Sequence, residues 1–170
     1  MAYITERITS ISDDDLNRII SDTLEKAKAG NTYPFKAGTT DDQKKNILKV
    51  QLTNHIKNNY AFGIKKDNLL VTIFAGTIDS GEFTSLMFFV SKDANGSRSF
   101  LYDNDWHAQI KTYMQSQSDF TVFNTLTTGT GLSGYHQDIV TANKFGLTIE
   151  SESTDSADGF DYQTRKITFE

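Results

Sequence analysis

The segment Gly129-Thr-Gly131-Leu-Ser-Gly134 spells G-x-G-x-x-G between an apolar strand-like run, Phe120 to Leu126, and a short helix-like segment, Tyr135 to Phe145. A further strand, Leu147 to Glu150, follows, with carboxylates at Glu150 and Glu152. In such a β-loop-α-β unit the glycines let backbone N–H groups approach a pyrophosphate, and an acid further on can take a ribose hydroxyl. A dinucleotide site also predicts that this loop follows the first of several parallel units. Here a single unit closes the chain after a run of meander-like strands, and Thr125, Thr127, Thr128 and Thr130 give the loop an ordinary flexible composition. We read it as a connection.

Other chemistry is sparser. His55, His107 and His136 could join Asp103 and Asp105 around a metal, but none has a partner histidine three or four residues away, the spacing that puts two ligands on one helical face. No serine sits in a G-x-S-x-G elbow, so no Ser-His-Asp set is assigned. The run Asp13-Asp14-Asp15 reads as acid in a helix's first turn, favoured there by the dipole, before it reads as a metal site. The absence of cysteine excludes disulfides, thiolate catalysis and cysteine-based zinc sites.

Composition narrows the classes further. A chain of 170 residues suits one domain, 1–170, large enough to bury a core, and Phe 12 with Tyr 7 supply bulky core material. A formal charge of -5 argues against a nucleic-acid surface, which needs a cationic footprint. No apolar run approaches the ~20 residues of a membrane span. The first residues lack the basic-then-apolar pattern of a signal peptide. The expectation is a cytoplasmic protein with no membrane or nucleic-acid partner. Abundant Asn, Asp, Ser and Thr give it a composition common among bacteriophage proteins.

The elements follow from periodicity and caps. Tyr3 to Ile11 alternates as a strand. Ser12 then opens a helix whose Leu16, Ile19, Ile20, Thr23, Leu24 and Ala27 share a face up to Gly30, with Ile11 and Leu16 spaced as a hydrophobic staple. Thr40 and Gln43 form a capping box for a second helix carrying Ile47, Leu48, Leu52 and Ile56, with His55 beside that face. Tyr60 to Lys65 and Leu69 to Ile78 read as a hairpin through Asp67 and Asn68. Phe83 to Val90, almost wholly apolar from Leu86 on, should be a central strand buried on both faces. Asn95-Gly96 is a hairpin signal, so Arg98 to Tyr102 reads either as one more strand or as a loop opening the next helix. That helix contains Trp106, Ile110, Tyr113 and Met114, with Trp106 and Tyr113 read as core. Gln163 to Phe169 closes the chain as a strand, and Ser151 to Gly159 reads as a loop.

Written out, the order is β-α-α-β-β-β-α-β-α-β-β: an α+β domain with a mixed, mostly antiparallel twisted sheet and four helices. This order resembles the GNAT superfamily of acyl-CoA-dependent N-acetyltransferases over essentially the whole chain. The resemblance implies that the fourth strand splays from the fifth and admits an acyl-CoA. Its pyrophosphate would rest on backbone N–H groups of the following loop. Phe89, Val90, Ser91, Asn95, Gly96, Ser97 and Arg98 are then the cofactor-binding candidates. It further implies attack of an amine on a thioester, with Glu82 as the base and Tyr135 as the acid for the leaving thiolate. The family loop has the form Q/R-x-x-G-x-G/A, whereas Lys92 to Ser97 holds one glycine and an acid, Asp93, with Lys92 or Arg98 available to offset it. Ala142 stands four residues before Gly146, where the family often carries its tyrosine. Two functions follow: an acetyl-CoA or other acyl-CoA-dependent N-acyltransferase acting on an amine, or a non-catalytic binding or structural protein, of phage type, that keeps the architecture. In the second case the aromatics Tyr33 and Phe35 around Pro34 are candidate surface residues.

Overall fold

The structure, a computed structural model, describes residues 3–30, 38–128, 148–157 and 160–168, with side chains over 3–25 and 38–122. The elements are β1 (Tyr3–Arg7), α1 (Asp13–Gly30), α2 (Asp41–Asn58), β2 (Tyr60–Lys66), β3 (Leu69–Asp79), β4 (Glu82–Val90), a 3-10 turn (Ser99–Tyr102), α3 (Asn104–Ser116), β5 (Val122–Thr128), β6 (Thr148–Ala157) and β7 (Phe160–Thr168). The expected fourth helix, Gly129 to Gly134, Tyr135, Ala142 and the Tyr33-Pro34-Phe35 group lie outside the described residues.

Local chemistry places the early elements. Ser12 Oγ accepts from the Asp15 N–H (3.1 Å), so the triple acid sits in a capped first turn as expected. Thr40 and Gln43 bond reciprocally in the capping box. Two hairpins turn on residue pairs with positive φ, Asp67 (50°) with Asn68 (69°) and Ser80 (51°) with Gly81 (78°), the geometry that matches strand twist.

The strands form one seven-stranded sheet in the order β1-β2-β3-β4-β5-β7-β6, with β4 at its middle. Only β4 and β5 run parallel; the other neighbours are antiparallel. Because side chains alternate along a strand, β4 feeds two cores. Met87 and Phe89 face the layer of Ile19, Leu48 and Leu52 from α1 and α2. Phe88 and Val90 face Trp106, Ile110 and Met114 from α3, among stacked Phe62, Phe74 and Tyr113 rings.

Leu86 departs from the expected burial: it is 43% exposed. Its register explains this. Ala75 pairs with Met87 and Gly76 with Ser85, so Leu86 is the extra residue of a bulge. Gly76 permits the close approach, since a Cβ there would lie 1.8 Å from the Thr84 carbonyl oxygen. Asn95-Gly96 does not build a hairpin: Gly96 (φ 75°) turns a tight loop, and Ser99–Tyr102 forms a 3-10 turn in place of a strand. In the C-terminal third, β6 runs on to Ala157 where a loop was expected. The register sets Glu152 opposite Arg165 and Thr154 opposite Gln163, and pairing with β7 overrides the polar composition. On α2, Ile47 is 40% exposed, because the buried stripe is narrower than the apolar residues suggest.

Full burial in the α1–α2 core makes Phe89 a sensitive position. Phe89→Ala should cost ~3–5 kcal/mol and Leu86→Ala under ~1 kcal/mol in urea unfolding. Equal losses at the two sites would contradict the bulge.

Candidate functional site

The parallel pairing of β4 with β5 stops at Ser85 opposite Thr125. Beyond it β4 continues to Val90 beside β3, and β5 continues to Thr128 beside β7. The sheet therefore opens between them. The Ser91 N–H donates to the Val71 carbonyl on β3 (2.8 Å), so by alternation the polar groups of Val90 face the opened side. Thr23, a buried residue of α1, meets them. Its hydroxyl accepts from the Val90 N–H (3.0 Å) and donates to the Val90 carbonyl (3.2 Å).

The same turn of α1 fastens the loop that follows. Asp22 Oδ2 accepts from the Lys92 N–H (3.0 Å) and from Ser91 Oγ (2.6 Å), and Arg98 Nη2 donates to the Asp22 carbonyl (2.8 Å). Arg18 Nη1 donates to Ser91 Oγ (2.6 Å) and to the Leu70 carbonyl (2.9 Å), while Nη2 holds Asp15 (2.8 Å). At the rim Lys92 Nζ pairs with Glu25 (2.9 Å).

At the loop's centre sits Asp93, 8% exposed. Its Oδ1 accepts the N–H groups of Asn95 (2.9 Å) and Ser97 (3.0 Å), and its Oδ2 accepts from Lys66 Nζ (2.7 Å). The backbone closes around it: Asp93 N–H donates to the Ser97 carbonyl (2.8 Å) and Gly96 N–H to the Asp93 carbonyl (2.9 Å). The Lys66 ammonium, with the two backbone donors, holds the Asp93 carboxyl below its ordinary value of 3.8, against the opposing pull of burial. The N-terminus of α3 is filled in a similar way. Asp103 caps it through the Asp105 N–H (2.9 Å) and accepts from Tyr3 Oη (3.0 Å).

The structure puts Val90 on Thr23, Ser91 and Arg98 on Asp22, and Asn95 and Ser97 on Asp93, and gives Gly96 an open position in the same loop. Phe89 is fully buried in the α1–α2 core. Glu82 stands at the start of β4, paired with Val122 and Asp79 where the sheet is still closed, ~13 Å of strand from Leu86. Trp106 is buried and Tyr113 stacks on Phe62, both core as expected. Burial lowers the pKa of His55, and among the described residues no group of three or more His, Asp or Glu could hold a metal ion. Sequence reasoning missed Asp22, Thr23 and Lys66 as parts of this site. It read Asp93 only as a loop acid for Lys92 or Arg98 to offset, although Asp-x-Asn-Gly is also the signature of a side chain closing on the backbone two residues on.

No protein-family model matches the chain, and no curated protein matches it. Solved structures do. A putative acetyltransferase of the GNAT family from Desulfovibrio desulfuricans superposes with a TM-score of 0.59 at 10% identity, over 99% of this chain and 100% of that one. This chain has the GNAT fold. PaiA N-acetyltransferase from Thermoplasma acidophilum, solved in complex with coenzyme A, is similar at TM-score 0.58 and 14% identity, over 98% of this chain and 99% of that one. The ribosomal-protein-S18-alanine N-acetyltransferase from Escherichia coli is similar at 0.54 and 10%, over 98% and 93%.

An acyl-CoA of the kind that the family resemblance implies would set its pyrophosphate on backbone N–H groups of the loop after β4. The residues present do not fit that group. The donors of Val90, Lys92, Asn95 and Ser97 are engaged by Thr23, Asp22 and Asp93, and a buried carboxylate occupies the middle of the loop. A phosphate there would lose its donors and meet like charge.

Two outcomes test this site. Thr23→Val leaves both Val90 backbone groups without their partner and should cost ~1–3 kcal/mol in chemical denaturation; an unchanged stability would remove Thr23 from the site. Because the folded pKa of Asp93 is depressed, its contribution is present above the unfolded value near 3.8 and is lost as pH falls through the folded one. The stability advantage of wild type over Asp93→Asn should be constant above about pH 5 and shrink below pH 4. An advantage independent of pH down to 2 would show that the charge contributes nothing.

Proposed function

We propose that this chain is a GNAT-fold binding or structural protein that does not use acyl-CoA at the loop between β4 and α3. The observation that carries this reading is Asp93, whose carboxylate takes the Asn95 and Ser97 N–H groups and pairs with Lys66. A site kept for an anionic cofactor would leave those donors free and the loop uncharged or cationic. Its partner on this reading is a protein or small molecule met at the surface. The acidic balance disfavours nucleic acid, and no helix among the described residues is long and apolar enough to cross a membrane.

A second reading, acyl-CoA-dependent N-acylation of an amine, is favoured by the parting of β4 from β5 after Ser85. It would assign Glu82 as the base and Tyr135 as the acid. It also requires Thr23 and Asp93 to give up their present partners.

Thermal denaturation with coenzyme A, acetyl-CoA and NAD separates the two. On the proposed reading millimolar coenzyme A and acetyl-CoA leave the melting temperature unchanged. Filling a site to a hundred times its Kd would add about 2.7 kcal/mol of stability. A saturable shift with either thioester or free coenzyme A overturns the proposal in favour of the acyltransferase. A shift with NAD alone directs attention to Gly129 to Gly134.

A further inference from the structure

The ion pair Lys66–Asp93 is enclosed, with 12% of the lysine side chain and 5% of the aspartate side chain exposed. A buried ammonium without a counterion is strongly unfavourable, and so are two backbone N–H groups turned inward with no acceptor. Lys66 ends β2, whereas Asn95 and Ser97 belong to the loop beyond β4. The three donors therefore come from two separate parts of the chain, the end of β2 and the loop after β4, and converge on one carboxylate. Backbone N–H groups curled around a point form a concavity that accepts anions; here those of Asn95 and Ser97 meet at Asp93 Oδ1, the intervening Gly96 N–H turns to the Asp93 carbonyl, and an ammonium adds a full positive charge. Both carboxylate oxygens of Asp93 are used, Oδ1 by the backbone and Oδ2 by Lys66, as the two oxygens of a bound oxyanion would be.

We infer that the loop is an anion-binding nest whose ligand is a side chain of the same chain, and that the nest emptied of Asp93 takes a small free oxyanion, a carboxylate or a phosphate, in its place. The inference deepens the reading of this loop under Proposed function and rests on the same occupancy. The tethered carboxylate is at high effective concentration and needs no association step, so it outcompetes free anions in the wild type. Asp93→Ala removes the tethered ligand and leaves Lys66, Asn95 and Ser97 in place. Asp93→Asn keeps an amide oxygen on the two N–H groups and fills the space, so it serves as the occupied but uncharged control.

The test is the melting temperature of wild type, Asp93→Ala and Asp93→Asn in rising phosphate and, separately, in rising acetate, with sodium chloride at matched ionic strength as reference. Asp93→Ala should melt lowest in chloride and gain a saturable rise of about 4 °C at an anion concentration some ten times its Kd. Wild type and Asp93→Asn should not rise beyond the chloride control. Rescue by phosphate and by acetate supports a general oxyanion nest, and rescue by one alone supports the nest and names its preferred ligand. A response of Asp93→Ala no larger than that of the other two proteins overturns the inference. If Asp93→Ala does not fold in chloride, recovery of its circular-dichroism spectrum on refolding in phosphate or acetate is read instead, and no recovery in either overturns the inference. Coenzyme A binding by wild type would sink the functional proposal, whereas absent anion rescue sinks this inference, so the two failures are distinguishable.

Discussion

A strand that leaves its neighbour exposes backbone donors and acceptors, and inside a folded domain each of these must find a partner. That constraint governs the middle of this sheet. The β4–β5 pairing ends at Ser85 opposite Thr125, and β4 runs on as far as Val90. The bulge at Leu86, made possible by Gly76, lies at the point of parting and turns the strand away. The Thr23 hydroxyl supplies Val90 with partners that a neighbouring strand would otherwise have supplied, and the carboxylates of Asp22 and Asp93 take the N–H groups of the loop that follows.

The same groups tie the layers together. Residues Arg18, Asp22 and Thr23 sit on successive turns of α1 and reach β3, β4 and the loop after β4 with charged or hydroxyl groups. The neighbouring Leu16, Ile19, Ile20 and Leu24 pack apolar surface on the sheet. One helix thus combines non-directional burial, which brings it to the sheet, with directional hydrogen bonds that fix its position along β4. On the opposite face, α3 is held by Trp106, Ile110 and Met114 and capped by Asp103, which Tyr3 also touches from β1.

An architecture and the chemistry grafted on it are separable, and this chain shows where they part. Its element order, strand order and parallel β4–β5 pair make a GNAT-like fold, shared at 10% identity with solved structures from Desulfovibrio desulfuricans and Escherichia coli. The loop after β4 is built differently from one that cradles a phosphate. An acid stands at its centre, a lysine from another strand pairs with that acid, and the N–H groups that could meet a ligand are turned onto side chains.

What the sequence by itself determined was local or periodic. The caps at Ser12 and Thr40, the Asp67-Asn68 turn, the buried faces of α1 and α3 and the apolar β4 all rest on residues within a turn or a strand of each other, so spacing alone exposes them. The order of those elements was enough to suggest the family fold. The strand character of Ser151 to Ala157 was invisible, because nothing in that polar segment favours a strand until β7 pairs with it. The exposure of Leu86 was invisible too, since it follows from a bulge set by the glycine opposite. Only the tertiary structure decided the site. Lys66 reaches Asp93 across 27 residues, and Thr23 reaches Val90 across 67. An acid three residues before a glycine reads the same whether it faces solvent or an inward set of donors; its meaning depends on which distant groups folding brings to it.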